Sequence, residues 1–119
     1  MGEEQRRYTR VATRLVAFLK VVETGKVHRG LTRDLSTGGV CATIETPLAV
    51  GTPLEVEIKL PDREQEIRFL AEVAWTKPVE AGKPGGNTDV GIKFVSIDPK
   101  ARSAIMHYAM LNAVPPDPA

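Results

Sequence analysis

Cysteine and long apolar segments are nearly absent from the sequence. Cys41 is the only cysteine among 119 residues, so an intramolecular disulfide is impossible and a reducing, cytoplasmic location is expected. No apolar run approaches the roughly 20 residues that cross a membrane, and residues 1–6 contain no apolar signal core. We therefore predict a cytoplasmic protein that does not insert into a membrane.

Aromatic residues and excess charge are also scarce. The chain contains three phenylalanines, two tyrosines and one tryptophan, and its formal net charge is +1. Domains that bind DNA are usually more basic, and single-strand binders present aromatic side chains in a basic groove. We therefore predict no DNA partner. With 42% hydrophobic and 26% charged residues, the composition is that of one ordinary globular domain.

Patterns that indicate catalysis or metal binding are missing. His28, Cys41 and His107 do not have metal-ligand spacing, and no nucleophile elbow is present. The Gly-rich segment 83–88 lacks the spacing of a P-loop. We predict that the protein is not an enzyme and has no catalytic residue, metal or cofactor.

Alternating apolar and polar residues predict six β-strands. The alternation is clearest at Leu54, Val56 and Ile58, which are separated by glutamates. In the fifth strand, Trp75 is predicted to continue the apolar face. The six predicted strands cover approximately residues 11–22, 27–35, 40–46, 54–60, 67–75 and 89–95.

A helix is predicted after the last strand. Asp98 is a suitable N-cap, Pro99 suits the first helical position, and apolar residues then recur at helical spacing. The predicted fold is all-β with one helix, a six-stranded antiparallel β-barrel plus a C-terminal α-helix. We predict a flexible arm at residues 1–10, the barrel and helix at 11–112, and a disordered tail at 113–119.

The turn at residues 34–39 combines polar side chains with glycines. Asp34 and Ser36 point to the same side of an extended strand, so both can face one ligand. An ionised Asp only accepts hydrogen bonds, which suits the adjacent N–H groups of guanine. Gly38 and Gly39 lack Cβ atoms, so the backbone can turn there with positive φ and a ligand can come close. Taken alone, the motif is more typical of an ordinary hairpin turn, where Asp and Ser beside Gly-Gly are common for purely structural reasons.

Three arginines precede the first predicted strand: Arg6, Arg7 and Arg10. Guanidinium groups fork onto phosphates or onto O6 and N7 of guanine, and they stack on flat bases. Taken alone, the segment is more typical of a solvated basic arm that only keeps the protein soluble. A hairpin that turns near Gly25 brings Val11 close to Leu35, so the arm and the Asp/Ser turn are predicted to meet at one end of the barrel. Such a site suits an anionic guanine nucleotide.

The two motifs together resemble those of PilZ domains. Arg6-x-x-x-Arg10 resembles the RxxxR motif of that family, and Asp34-x-Ser36-x-x-Gly39 resembles its (D/N)xSxxG motif. The distance between the motifs is also similar.

The resemblance extends over about residues 5–112. Residues 71–75 resemble the fifth-strand pattern of the family, and residues 90–94 resemble its last-strand pattern. Some relatives carry a further arginine where Gln5 stands, so the number of bound ligands stays open.

The family binds cyclic dimeric GMP (cyclic di-GMP), a bacterial second messenger, often as an intercalated pair. The resemblance implies that Arg6 and Arg10 grip phosphates and guanine edges, with Arg7 as a helper. It implies that Asp34 and Ser36 read a guanine edge. The resemblance further implies that Gly39 keeps the turn open and that Trp75 adds a stacking surface, although a core position for Trp75 is the alternative.

The implied function is that of a bacterial cyclic di-GMP receptor. Binding would order the N-terminal arm and change a surface presented to a downstream protein partner in motility, biofilm formation or virulence. The alternative is a PilZ-like adaptor that binds only protein. Such relatives usually lack the arginines or the Asp/Ser pair, whereas this chain keeps both. Nucleic-acid binding ranks third.

Overall fold

The computed structural model describes residues 11–36, 38–61, 64, 66–79 and 87–112. Within these residues the chain forms seven β-strands and then one helix: β1 (Val11–Ala12), β2 (Val16–Val21), β3 (Val27–Leu35), β4 (Gly39–Ile44), β5 (Pro53–Ile58), β6 (Ile67–Pro78), β7 (Thr88–Ser96) and α1 (Pro99–Leu111). The predicted arm at 1–10 and the predicted tail at 113–119 lie outside the described residues.

The strands form one antiparallel sheet that closes on itself. Six strands follow one another around the ring in the order β3-β2-β5-β6-β7-β4, and the pairing of β4 with β3 completes it. The short β1 pairs with the last residues of β3. The predicted six-stranded antiparallel barrel with a C-terminal helix is therefore confirmed, with one short strand in addition.

Apolar side chains on alternate positions fill the inside of the barrel. On β5, Leu54, Val56 and Ile58 are at most 1% exposed, whereas Glu55 faces solvent. Burial of each such side chain contributes about 1.5–3 kcal/mol. A slip of β5 by one residue would exchange the buried and exposed sets, so the core itself fixes the register.

The helix begins where the sequence predicts. Asp98 is the N-cap, and its carboxylate accepts a hydrogen bond from the backbone N–H of Lys100 at 2.8 Å. The helix packs against β1 and β6, and its residues Ile105 and Ala109 are completely buried in the barrel core. No helix within the described ranges is long and apolar enough to cross a membrane.

The prediction of one continuous strand over residues 11–22 is wrong, because the strand is interrupted between β1 and β2. Val11 pairs with Leu35. Val16, five residues later, pairs with Leu31, only four residues earlier on β3. The two short strands therefore have registers that differ by one residue, which local composition does not reveal.

A buried hydroxyl stabilises this interruption. The Thr32 hydroxyl accepts a hydrogen bond from the backbone N–H of Leu15 at 2.8 Å and lies 2.7 Å from the Thr13 hydroxyl. Thr13 and Thr32 are both buried. At the register shift, the backbone N–H of Leu15 therefore bonds to the Thr32 side chain and not to a strand carbonyl. This hydrogen bond is needed because buried polar groups require a partner.

A second irregularity turns the end of β6 outward. Val73 of β6 pairs with Ile92 of β7. The next pair is Trp75 with Gly91, so Ala74 is an extra residue, a β-bulge. Val73 is 1% exposed, whereas Trp75 is 38% exposed. The prediction that Trp75 continues the apolar face is therefore wrong, because the bulge reverses the facing of the side chains that follow it.

Candidate functional site

Four residues form a row across the outside of four neighbouring strands. Asp34 of β3 pairs with Cys41 of β4. Gly91 of β7 pairs with Cys41 on one side and with Trp75 of β6 on the other. The chain neighbours of Cys41 and Gly91 belong to the buried core, so these two residues face outward. A carboxylate and an indole therefore flank a floor made of one small side chain and one glycine.

The turn after β3 holds Ser36 next to this row. The backbone N–H of Ser36 donates to the carbonyl of Gly39 at 2.9 Å and closes the turn. The Ser36 hydroxyl accepts from the N–H of Gly38 at 3.3 Å and donates to the Gly39 carbonyl at 3.4 Å. Both hydroxyl contacts are longer than the usual distances of about 2.7–3.0 Å. The hydroxyl is thus weakly held and can turn toward a ligand.

Gly39 is required by a close approach of two strands. Gly39 does not adopt the positive φ that a glycine permits. Instead, Gly39 pairs with Lys93 of β7, and a Cβ on Gly39 would overlap the carbonyl oxygen of Ile92. The backbone N–H of Phe94 also donates to the Gly38 carbonyl at 3.1 Å. Gly39 therefore allows the turn to lie directly against β7.

The Trp75 indole occupies the space outside Gly91. A Cβ on Gly91 would overlap the indole atoms Nε1, Cε2 and Cδ1. All three atoms belong to the five-membered ring, so this ring lies against the glycine. Because Gly91 has no side chain, the indole can lie directly on the outer face of β7.

These residues line one open cleft of about 150 Å³. It joins five residues predicted from the sequence, namely Asp34, Ser36, Gly38, Gly39 and Trp75. It also contains residues that the sequence analysis missed, among them Cys41, Gly91 and Lys93. The cleft is smaller than the roughly 300–1,000 Å³ of pockets that enclose drug-sized ligands. Its size suits a single ring system.

Lys93 is a cation at the cleft, and its ion pair with a neighbouring carboxylate is weak. The ammonium group of Lys93 lies 3.8 Å from a carboxylate oxygen of Glu72, its cross-strand neighbour on β6. The side chains are 58% and 36% exposed, so water screens their attraction. Lys93 therefore remains available to a stronger anion.

The PilZ domain family matches residues 4–111, nearly the whole chain. This chain belongs to the PilZ domain family. No curated protein sequence matches it.

Several solved structures share this fold. The PilZ domain of YcgR from Escherichia coli, solved with c-di-GMP, is 18% identical, with a TM-score of 0.71 and 90% of each chain covered. The Bacillus subtilis inhibitor of motility MotI/DgrA is 20% identical, with a TM-score of 0.71, 89% of this chain covered and 50% of that one. The PilZ domain of CeSA from a cellulose-synthesizing bacterium is 17% identical, with a TM-score of 0.53 and coverage of 86% and 95%. At these sequence identities, the similarity shows only that the structures share a fold.

Three predicted site residues of this PilZ domain lie outside the described residues: Arg6, Arg7 and Arg10. The described chain enters the barrel at Val11, which pairs with Leu35. The predicted proximity of Val11 and Leu35 is therefore confirmed. Because Leu35 stands between Asp34 and Ser36, the segment that carries the arginines joins the PilZ barrel beside the cleft.

The polar groups of the PilZ cleft are suited to hydrogen bonding and charge neutralisation. They are a carboxylate, a hydroxyl, a thiol and an ammonium group, with an indole ring beside them. Within the described part of the chain, no three His, Cys, Asp or Glu side chains are grouped to hold a metal ion. The arrangement therefore suits an anionic ligand that carries a flat base.

Proposed function

We propose that this PilZ domain is a receptor for cyclic di-GMP and acts by binding rather than by catalysis. The observation that carries the proposal is the cross-strand row, in which Asp34 and Trp75 flank one cleft. A guanine base needs hydrogen-bond acceptors at one edge and a flat apolar surface for its face. The cleft offers both within the space of one ring system.

Asp34 and Ser36 recognise the guanine edge in this proposal. An ionised carboxylate has two acceptor oxygens and no donor, so it complements the adjacent N1–H and N2–H groups of guanine. Asp34 is half-buried, which reduces the screening of such contacts by water. The weakly held Ser36 hydroxyl supplies a further donor or acceptor beside it.

Trp75 stacks on a base in the same proposal. Base–aromatic stacking contributes about 1–3 kcal/mol per base. The indole is 38% exposed and lies at the cleft, so one part of the ring is free to contact a ligand. The sequence-based alternative of a core role is not supported by this exposure.

The arginines Arg6, Arg7 and Arg10 complete the site in the proposal. The cleft is large enough for one ring system, so the phosphates and the other base of the ligand must be bound by groups outside it. Each guanidinium can fork onto a phosphate. Ordering of the arm costs roughly 1–2 kcal/mol per residue, which these charge-assisted contacts must exceed. The ordered arm, ligand and barrel rim would then form the surface that a protein partner recognises.

The experiment that tests the proposal is a calorimetric titration of the whole chain with cyclic di-GMP. We expect saturable binding by the unchanged protein and a loss of roughly tenfold or more in affinity for Arg10→Ala. Cyclic di-AMP is the matched control ligand, because adenine presents an acceptor where guanine presents N1–H, and it should bind poorly. NMR relaxation of residues 3–10 should show restricted motion only with ligand. No binding by the unchanged protein would favour the protein-only adaptor instead.

Lys93 and Glu72 are expected to change affinity in opposite directions. Lys93→Ala should weaken binding roughly threefold, because a cation near the ligand is lost, and Glu72→Gln should strengthen it by a similar factor. Both effects should shrink at high salt. Lys20→Ala is the control, since Lys20 is an exposed lysine on β2, outside the cleft. Equal losses for Lys93→Ala and Lys20→Ala would show that only net charge matters.

A further inference from the structure

Gly91 and Trp75 form an interlocked pair on the outside of the barrel. They are cross-strand partners on β7 and β6, and the indole fills the position that a side chain of residue 91 would take. An aromatic side chain that lies over a cross-strand glycine shields the backbone and fixes its own orientation. The glycine is therefore part of the surface against which the ring is held.

The bulge at Ala74 is what makes this contact possible. Without the extra residue, strict alternation would direct position 75 into the core beside Val73. With it, Trp75 faces outward opposite Gly91. The indole is thus held by one additional residue in β6 and one missing side chain in β7, and neither of these residues carries a functional group.

We propose that Gly91 is a positioning residue for ligand binding, which acts through Trp75. This inference rests on the proposed function, because it assigns to Gly91 the orientation of the ring that stacks on the base. A methyl group at residue 91 pushes the five-membered ring away from β7. The ring then leaves the wall of the cleft opposite Asp34, although every group that touches the ligand is still present.

A double-mutant cycle tests this coupling. Gly91→Ala should weaken cyclic di-GMP binding roughly tenfold, about as much as Trp75→Ala, because each removes the stacking surface. In the Trp75→Ala background, Gly91→Ala should change the affinity by less than about twofold, because no ring remains to be displaced. Additive losses in the double variant would overturn the proposal, and so would an unchanged affinity in Gly91→Ala.

Stability measurements separate positioning from a role in folding. The methyl group overlaps only the indole among the nearest contacts of residue 91. The double variant should therefore recover the free energy of unfolding that Gly91→Ala loses, which keeps a folded protein available for the binding assay. If Gly91→Ala loses stability while its folded fraction binds with full affinity, Gly91 serves the fold alone and the inference is wrong.

Fluorescence tests the interlock even without a ligand. Trp75 is the only tryptophan, so all indole emission reports on this one ring. Gly91→Ala should shift the emission to longer wavelength and increase quenching by acrylamide, because the ring moves toward water. An unchanged spectrum would contradict the interlock. If the unchanged protein bound no cyclic di-GMP while the spectrum shifted as expected, the proposed function would fail and the interlock would stand.

Discussion

Replacing Asp34 by alanine should lower the affinity for cyclic di-GMP roughly a hundredfold or more. The variant leaves the guanine N1–H and N2–H groups without an acceptor in a half-buried cleft. Removal of one partner of a desolvated charged hydrogen bond costs about 2–5 kcal/mol, which corresponds to roughly 30-fold to several-thousandfold in affinity. The measurement is a calorimetric titration of the variant beside the unchanged protein.

Two asparagine variants sharpen this test. Asp34→Asn keeps the shape but replaces one acceptor oxygen with an NH₂ donor, so we expect almost the same loss as for Asp34→Ala. Asp89→Asn is the control, because Asp89 lies outside the cleft, with its carboxylate 3.0 Å from Arg33 and 2.6 Å from the Thr43 hydroxyl. It should bind normally. If Asp34→Ala bound cyclic di-GMP as tightly as the unchanged protein, recognition of guanine by this carboxylate would be excluded.

Gly39→Ala should lower the free energy of unfolding by about 3 kcal/mol, at the upper end of the usual cost of overpacking. The added methyl group overlaps the Ile92 carbonyl, and backbone cannot move aside as a flexible side chain can. The expected fall in Tm is roughly 10 °C or more for a domain of this size. Thermal unfolding followed by circular dichroism measures it. The cleft should be distorted where Gly39 lies against β7.

Gly25→Ala is the matched control for this effect. Gly25 has φ of 76°, and nothing lies within 4 Å of an added Cβ, so only conformational strain opposes the methyl group. Such strain costs roughly 1–2 kcal/mol. A larger loss of stability for Gly25→Ala than for Gly39→Ala would mean that the close approach of β4 to β7 is not what requires Gly39.

The features that the sequence predicted correctly are those with a local cause. The alternation at Leu54, Val56 and Ile58 depends only on neighbours two residues apart, and the capping of α1 by Asp98 depends on one turn of chain. The hairpin that brings Val11 to Leu35 follows from a turn between two strands. These elements were enough to predict the barrel.

The errors arise where register depends on distant strands. Nothing in the sequence around Ala74 distinguishes a bulge from continued alternation, because the bulge is defined by the pairing of β6 with β7. The outward position of Trp75 was missed for this reason. The break between β1 and β2 is likewise defined by their pairing with β3.

The candidate site was predictable only in part for the same reason. Asp34 and Ser36 are close in sequence, so their common facing could be predicted. Cys41, Gly91 and Lys93 come from strands whose adjacency appears only in the closed barrel. The alternation of inward and outward positions along each strand predicts that these three residues face outward. It does not predict which outward-facing residues of different strands are neighbours.

Closure of the ring through β4 and β7 has a consequence for the folding kinetics. Pairs such as Val40 with Ile92 join residues from opposite halves of the chain. The chain must therefore lose the conformational entropy of closing a long loop before these contacts can stabilise the fold. Refolding on a scale of roughly milliseconds to seconds is typical of such topologies. The cleft spans these same strands and exists only in the completed barrel. Bound cyclic di-GMP would therefore stabilise the native state by mass action and slow its unfolding. It would not accelerate folding, because the cleft does not exist until the barrel has closed.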